Sequence, residues 1–70
     1  MTAERVGEIL RNARKGAGMR QADLIKRMGV SMPSYIRWEK GRGCPRADVF
    51  LSILEECGYE IVARKKRIRW

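Results

Sequence analysis

Residues 19–41 of this 70-residue chain read MRQADLIKRMGVSMPSYIRWEKG. Leu24, Ile25 and Met28 fall on one face of a short helix that begins near the start of this stretch. Gly29 can end that helix, because glycine adopts the left-handed C′ conformation without steric cost. The first half of the stretch therefore predicts a short helix that stops at a sharp turn.

A second short helix is predicted directly after this turn. Ser31 is a suitable N-cap, since its hydroxyl can accept a hydrogen bond from a free backbone N–H. Pro33 would lie in the first turn, where a missing N–H costs nothing. Tyr35 and Trp38 supply a buried edge, and Gly41 ends the helix. Two short helices joined by such a turn have the geometry of a helix-turn-helix motif.

The register of these residues resembles that of the Cro/cI repressor family, also called the XRE family. Three patterns carry the resemblance, Gln-x-x-Leu, Gly-Val-Ser and Trp-Glu-x-Gly, which comprise Gln21, Leu24, Gly29, Val30, Ser31, Trp38, Glu39 and Gly41. Flanking residues extend the resemblance over residues 4–58. It implies an all-α, lambda-repressor-like domain of about four helices that binds double-stranded DNA.

Two further helices complete the predicted fold. One covers residues 3–17, where apolar side chains recur at the spacing of an amphipathic helix. The other covers residues 46–57, and the helix after the turn covers residues 32–40. A chain this short buries a small core, and dimerisation is one usual remedy for its marginal stability.

The resemblance implies that the helix after the turn contacts DNA bases. Arg37 is the only long hydrogen-bond donor on its outer side and can pair with guanine, which discriminates by about 1–3 kcal/mol. Its apolar neighbours can touch thymine methyl groups or press on sugar and phosphate. Two orientations remain open, one with Tyr35 inside and its hydroxyl at the surface, the other with Ile36 buried. The predicted base contacts are Met32, Pro33, Ile36 and Arg37.

Phosphate contacts are implied for side chains that flank this helix. Arg20 departs from the family pattern, which usually has Ser or Thr there as an N-cap. Because arginine cannot accept a backbone N–H, the helix start is expected to fray or to depend on Asp23. Family members also often pair the glutamate at Glu39 with an arginine that matches Arg14, so a partly buried ion pair is predicted. The predicted phosphate contacts are Arg20, Gln21, Ser31, Lys40, Arg42 and Arg46.

The last residues form a separate predicted segment, residues 59–70, after a DNA-binding domain of residues 1–58. Its first five residues are rich in β-formers, which predicts a strand. A lone strand needs a partner, and the same strand of a second subunit would supply one across a two-fold axis. HipB-type antitoxins have a similar segment; a disordered tail is the alternative. The predicted dimer contacts are Tyr59, Ile61, Val62 and Ala63, and the basic residues that could follow phosphates are Arg64, Lys65, Lys66, Arg67 and Arg69.

Composition favours a polyanionic partner. Sixteen Lys and Arg against eight Asp and Glu give a net charge of +8, which favours nucleic acid. The chain has no histidine, and Cys44 and Cys57 lack metal-ligand spacing, so we expect no enzyme, cofactor or metal site. No apolar run is long enough for a membrane span and no signal peptide is visible, so a cytoplasmic protein is expected.

Two functions follow from these patterns. The first is a homodimeric transcriptional repressor that binds an inverted-repeat operator, has no evident small-molecule ligand and is typical of prophages or other mobile elements. The second is an antitoxin that binds both a toxin partner and its own promoter. A neighbouring gene for a kinase-like or nuclease-like toxin would favour the second.

Overall fold

A computed structural model describes residues 1–66. It contains four helices, α1 (Ala3–Gly16), α2 (Gln21–Met28), α3 (Met32–Glu39) and α4 (Ala47–Glu56), so the all-α prediction is confirmed for this part of the chain. The predicted ends of α1, α3 and α4 lie within one residue of the observed ends, and α2 ends directly before Gly29 as predicted. None of these helices combines the length and the apolar character needed to cross a bilayer. The predicted phosphate contacts of Arg67 and Arg69 lie outside the described residues.

Capping groups explain where the helices begin and end. The Thr2 hydroxyl accepts a hydrogen bond from the Arg5 backbone N–H at 3.1 Å, as expected of an N-cap. At the start of α2, the Arg20 backbone N–H donates to Asp23 Oδ2 at 3.1 Å, so Asp23 stabilises the helix start that Arg20 cannot cap. Gly29 ends α2 with a left-handed φ of 68°.

The core takes one fully buried side chain from each helix. These are Leu10 of α1, Leu24 of α2, Tyr35 of α3 and Ile53 of α4. The Tyr35 ring meets Trp38 edge-on, with centroids 6.1 Å apart. Of the two orientations that the sequence left open, the structure has Tyr35 inside.

The expectation that the Tyr35 hydroxyl reaches the surface is wrong. The hydroxyl is buried and has no hydrogen-bond partner among the described residues. The reason is that α1 packs against α3 and the phenol lies beside the buried Arg14–Glu39 pair, in the interior of the domain. Ile36, one position further along α3, stays partly exposed.

The chain after α4 leaves the helical core. The backbone N–H groups of Gly58 and Tyr59 donate to Glu55 and Leu54 carbonyl oxygens, each at 2.9 Å, which is the hydrogen-bond pattern of a Schellman motif. Residues 59–66 are then irregular and exposed. The strand predicted at the start of this segment requires a partner strand, and its pairing across a dimer stays a prediction.

Candidate nucleic-acid interface

The N-terminal half of α1 fixes the position of the last turn of α3. A Cβ atom added to Gly7 would lie 2.4 Å from the Trp38 carbonyl oxygen and 2.9 Å from that of Glu39. One added to Gly41, just beyond α3, would lie 3.0 Å from the Cα atom of Glu4. The two backbones therefore approach each other as closely as glycine permits.

A buried hydrogen-bond network joins the same end of α3 to α1 and α2. Arg14 donates from Nε to Glu39 Oε2 at 2.8 Å and from Nη2 to Oε1 at 3.1 Å. The two side chains are only 10% and 5% exposed. Arg14 Nη1 also donates to the Met19 carbonyl oxygen at 3.0 Å, and Gln21 Nε2 donates to Glu39 Oε1 at 3.2 Å. The pair that the sequence analysis expected is thus a bidentate contact with two further partners.

The opposite side of α3 is open to solvent. Met32, Pro33 and Arg37 are exposed, and Ile36 is partly exposed. These are the four side chains to which the sequence analysis assigned base contacts. The Arg37 guanidinium lies along the following loop, with Nη2 3.4 Å from the Arg42 carbonyl oxygen. The contact is long, so the guanidinium remains available to a stronger acceptor.

This arrangement, a helix buried along one side and exposed along the other after a sharp turn, is that of a recognition helix. A family model described as helix-turn-helix matches residues 10–63. The chain belongs to the XRE family of helix-turn-helix proteins. Neither the curated proteins nor the solved structures gave a match. Family membership supports a DNA-binding transcription regulator.

The basic side chains around the recognition helix of this XRE-family domain differ in whether they form ion pairs. Arg20 pairs with Asp23 and Arg46 with Asp48, each at 3.2 Å and exposed. Exposed pairs of this kind are weak and can be exchanged for phosphate. The remaining two predicted phosphate-binding cations form no ion pair within residues 1–66; they are Lys40 and Arg42.

Two other predicted phosphate contacts are already hydrogen-bonded. The Ser31 hydroxyl accepts from the Ser34 backbone N–H at 3.3 Å and donates to Ser34 Oγ at 2.7 Å. A phosphate contact by this hydroxyl would therefore compete with the cap of α3. Gln21 is partly buried and spends one amide hydrogen on Glu39, which leaves its second amide hydrogen for a phosphate.

The ionisation of the buried network follows from its contacts. Burial acts to raise the pKa of the Glu39 carboxyl, but the Arg14 guanidinium, the neighbouring Tyr35 hydroxyl and the Gln21 amide together more than offset it. The pKa of Glu39 therefore lies below its ordinary value of 4.5. Burial, together with the neighbouring Glu39 carboxylate, raises the pKa of the Tyr35 phenol. At neutral pH the network thus holds a charged pair beside a neutral phenol.

The lowered pKa of Glu39 predicts a pH-dependent contribution to stability. A carboxyl whose pKa falls on folding stabilises the protein above its unfolded pKa, and that contribution is lost as pH falls. We expect the difference in unfolding free energy between the wild type and Glu39→Gln to shrink as pH drops below 4.5. Urea unfolding at several pH values between about 7 and 3 measures it. Glu8→Gln, at an exposed carboxylate, is the control for lost charge; a pH-independent difference for Glu39→Gln would contradict the prediction.

Two residues at this interface escaped the sequence analysis. Gly7 lies at the closest approach of α1 to α3, and the available signal was a glycine inside a helical pattern. Ser34 carries a hydroxyl that accepts from Ser31 and keeps its own hydrogen for another acceptor. Its signal was a polar residue in the first turn of the recognition helix.

Proposed function

We propose that this chain is a sequence-specific transcriptional repressor that occupies a double-stranded DNA operator. The observation that carries the proposal is the two-sided environment of α3. One side is fixed by Gly7, Tyr35 and the Arg14–Glu39 pair, while the other is open. A helix presented in this way fits the major groove of B-DNA, where each base pair shows a distinct pattern of donors, acceptors and methyl groups.

The proposed roles divide between bases and phosphates. Arg37 would pair with guanine O6 and N7 in the major groove. Lys40 and Arg42, unpaired within the described residues, would contact phosphates beside it. Such contacts position the helix without carrying sequence information. The other proposed base contacts are Met32, Pro33 and Ile36, and the other proposed phosphate contacts are Arg20, Gln21, Ser31 and Arg46.

These roles predict different effects for two arginine substitutions. Arg42→Ala should weaken binding to all DNA sequences alike and reduce the slope of log K against log salt by about 1. Arg37→Ala should cost about 1–3 kcal/mol on the preferred site and relax the preference for guanine at one position. Fluorescence anisotropy on sites selected from a random duplex library, at several salt concentrations, measures both.

Arg27→Ala is the matched control for these variants. It removes the same charge from a side chain of α2 that pairs with Glu56 of α4 at 3.1 Å. We expect it to leave the base preference unchanged. If no sequence is enriched from the library, the proposed function is wrong. If Arg37→Ala keeps the guanine preference, its assigned role is wrong.

A homodimer is the proposed assembly, with contacts through Tyr59, Ile61, Val62 and Ala63. The support is an exposed apolar segment: Val62 is 67% exposed, and residues 60–66 form no backbone hydrogen bond within the described part of the chain. Such a segment can pair with a second copy as an antiparallel ribbon. Two recognition helices would then enter successive major grooves about 34 Å apart, which requires an inverted-repeat operator.

The dimer predicts the effect of a charge placed in this segment. Val62→Lys should sediment as a monomer where the wild type sediments as a dimer, because a lysine cannot pack in an apolar ribbon. Its helical circular dichroism should not change, since Val62 is exposed in the single chain. Ser52→Lys, at an exposed position of α4, is the control. A dimeric Val62→Lys variant would contradict the assignment.

An antitoxin is the second candidate function, and the same exposed segment favours it. Unpaired backbone groups beside apolar side chains can add a strand to the sheet edge of another protein. The mass of the 70-residue chain in solution tests one of the two candidates. A chain that stays monomeric favours the antitoxin, because its segment would then await a different protein. A dimer fits both candidates, since HipB-type antitoxins have a similar segment, and a neighbouring toxin gene then separates them.

A further inference from the structure

The DNA-facing side of α3 carries few hydrogen-bonding side chains. Met32 is 39% exposed although it is a large apolar residue. Ile36 is partly exposed and is not among the apolar side chains that pack against the core within residues 1–66. Packing in the core therefore does not account for an apolar residue at either position. Both side chains lie on the side of α3 that would meet base edges in a major groove.

The two serines at the start of α3 do not supply many more donors. Ser31 spends its hydroxyl hydrogen on Ser34 Oγ at 2.7 Å and accepts the Ser34 backbone N–H. Ser34 retains a single donor hydrogen. Along the first two turns, Arg37 is thus the strongest remaining donor. Met32 and Pro33 precede Ile36 by four and three residues, which makes the three side chains neighbours on one face of the helix and gives an apolar surface there.

We propose that this apolar surface selects C5-methyl groups of pyrimidines in the major groove, next to one guanine that Arg37 contacts. The proposal rests on the proposed function, because it specifies which bases the same recognition helix prefers. A methyl group on C5 of a pyrimidine projects into the major groove, where apolar side chains can contact it. Thymine carries this methyl group and 5-methylcytosine carries the same one, whereas cytosine and uracil lack it.

Removing single methyl groups from the DNA tests the proposal without changing the protein. Sites are first selected from two random duplex libraries, one with ordinary cytosine and one with 5-methylcytosine. Each thymine of an enriched half-site is then replaced by uracil, and each 5-methylcytosine by cytosine. Uracil keeps every hydrogen-bonding group of thymine, so any loss of affinity reports the methyl group alone. We expect about a fourfold loss for each methyl group that packs against α3.

Ile36→Ala and Met32→Ala provide the matching change on the protein side. In a double-mutant cycle, a methyl group that contacts Ile36 should lose most of its effect when Ile36 is replaced by alanine. Arg42→Ala is the control variant, since a phosphate contact should leave the thymine-to-uracil ratio unchanged. Thermal melts verify that each variant is folded.

The outcomes separate the two proposals. Losses at thymine identify thymine as the methyl source, and losses at 5-methylcytosine identify the modified base; either outcome supports the inference. An enriched site whose affinity is unchanged by every methyl removal overturns the inference and leaves the repressor proposal in place. No enriched site in either library overturns both.

Discussion

Replacing Glu39 with alanine is expected to lower the free energy of unfolding by about 3–5 kcal/mol. The substitution removes one partner of a bidentate pair whose side chains are almost fully buried. Within residues 1–66, Arg14 would then keep a buried positive charge with the Met19 carbonyl oxygen as its remaining hydrogen-bond partner, and Gln21 would lose its acceptor. Urea unfolding of the 70-residue chain, followed by circular dichroism, measures the change.

Glu8→Ala is the matched control for this prediction. Glu8 pairs with Arg5 at 2.8 Å, but both side chains are more than half exposed. Exposed pairs of this kind contribute about 0–1 kcal/mol. If Glu39→Ala is no more destabilising than Glu8→Ala, the buried pair does not stabilise the domain.

Gly7→Ala is expected to destabilise the domain by about 1–3 kcal/mol, as overpacked core substitutions do. Alanine is the better helix former by about 1 kcal/mol. Whether the substitution stabilises or destabilises the domain therefore depends on the room for a Cβ atom at Gly7. A Cβ atom at Gly7 would lie 2.4 Å from the Trp38 carbonyl oxygen, and a backbone atom at that distance must move. The shift would displace the recognition helix, so DNA affinity should fall together with the melting temperature.

Gly16→Ala tests the same chemical change where there is room. The nearest atom to an added Cβ at Gly16 is the Tyr59 hydroxyl oxygen at 3.8 Å, an ordinary contact. Because alanine restricts the unfolded chain more than glycine does, this variant should be more stable by about 0.4–1 kcal/mol. A Gly7→Ala variant that gains stability as Gly16→Ala does would show that α1 can move away from α3 freely.

The parts of the fold that were predictable from the sequence depend on neighbouring residues. Apolar periodicity defines α2, and Gly29 defines its end. Both signals lie within the helix itself or directly after it. The Arg14–Glu39 contact joins residues 25 positions apart, and no local pattern encodes it. Its prediction depended on the family resemblance, which carries information about tertiary contacts that periodicity lacks.

The features that escaped prediction depend on how closely two helices approach. The burial of the Tyr35 hydroxyl and the close approach of α1 to α3 at Gly7 both depend on how two helices pack against each other. Neither follows from the apolar pattern of one helix. The segment after α4 presents a different limit, because β-forming residues favour a strand only where a partner exists.

The contacts of Arg14 have a consequence for the order in which the domain opens. One guanidinium binds the end of α3 through Glu39 and the α1–α2 connection through Met19. The recognition helix therefore cannot separate from the first two helices without exposing the Arg14 guanidinium, which is buried in the folded domain. Backbone amides in its last turn should exchange with solvent deuterium only through the same cooperative opening that frees α1, rather than by local fraying.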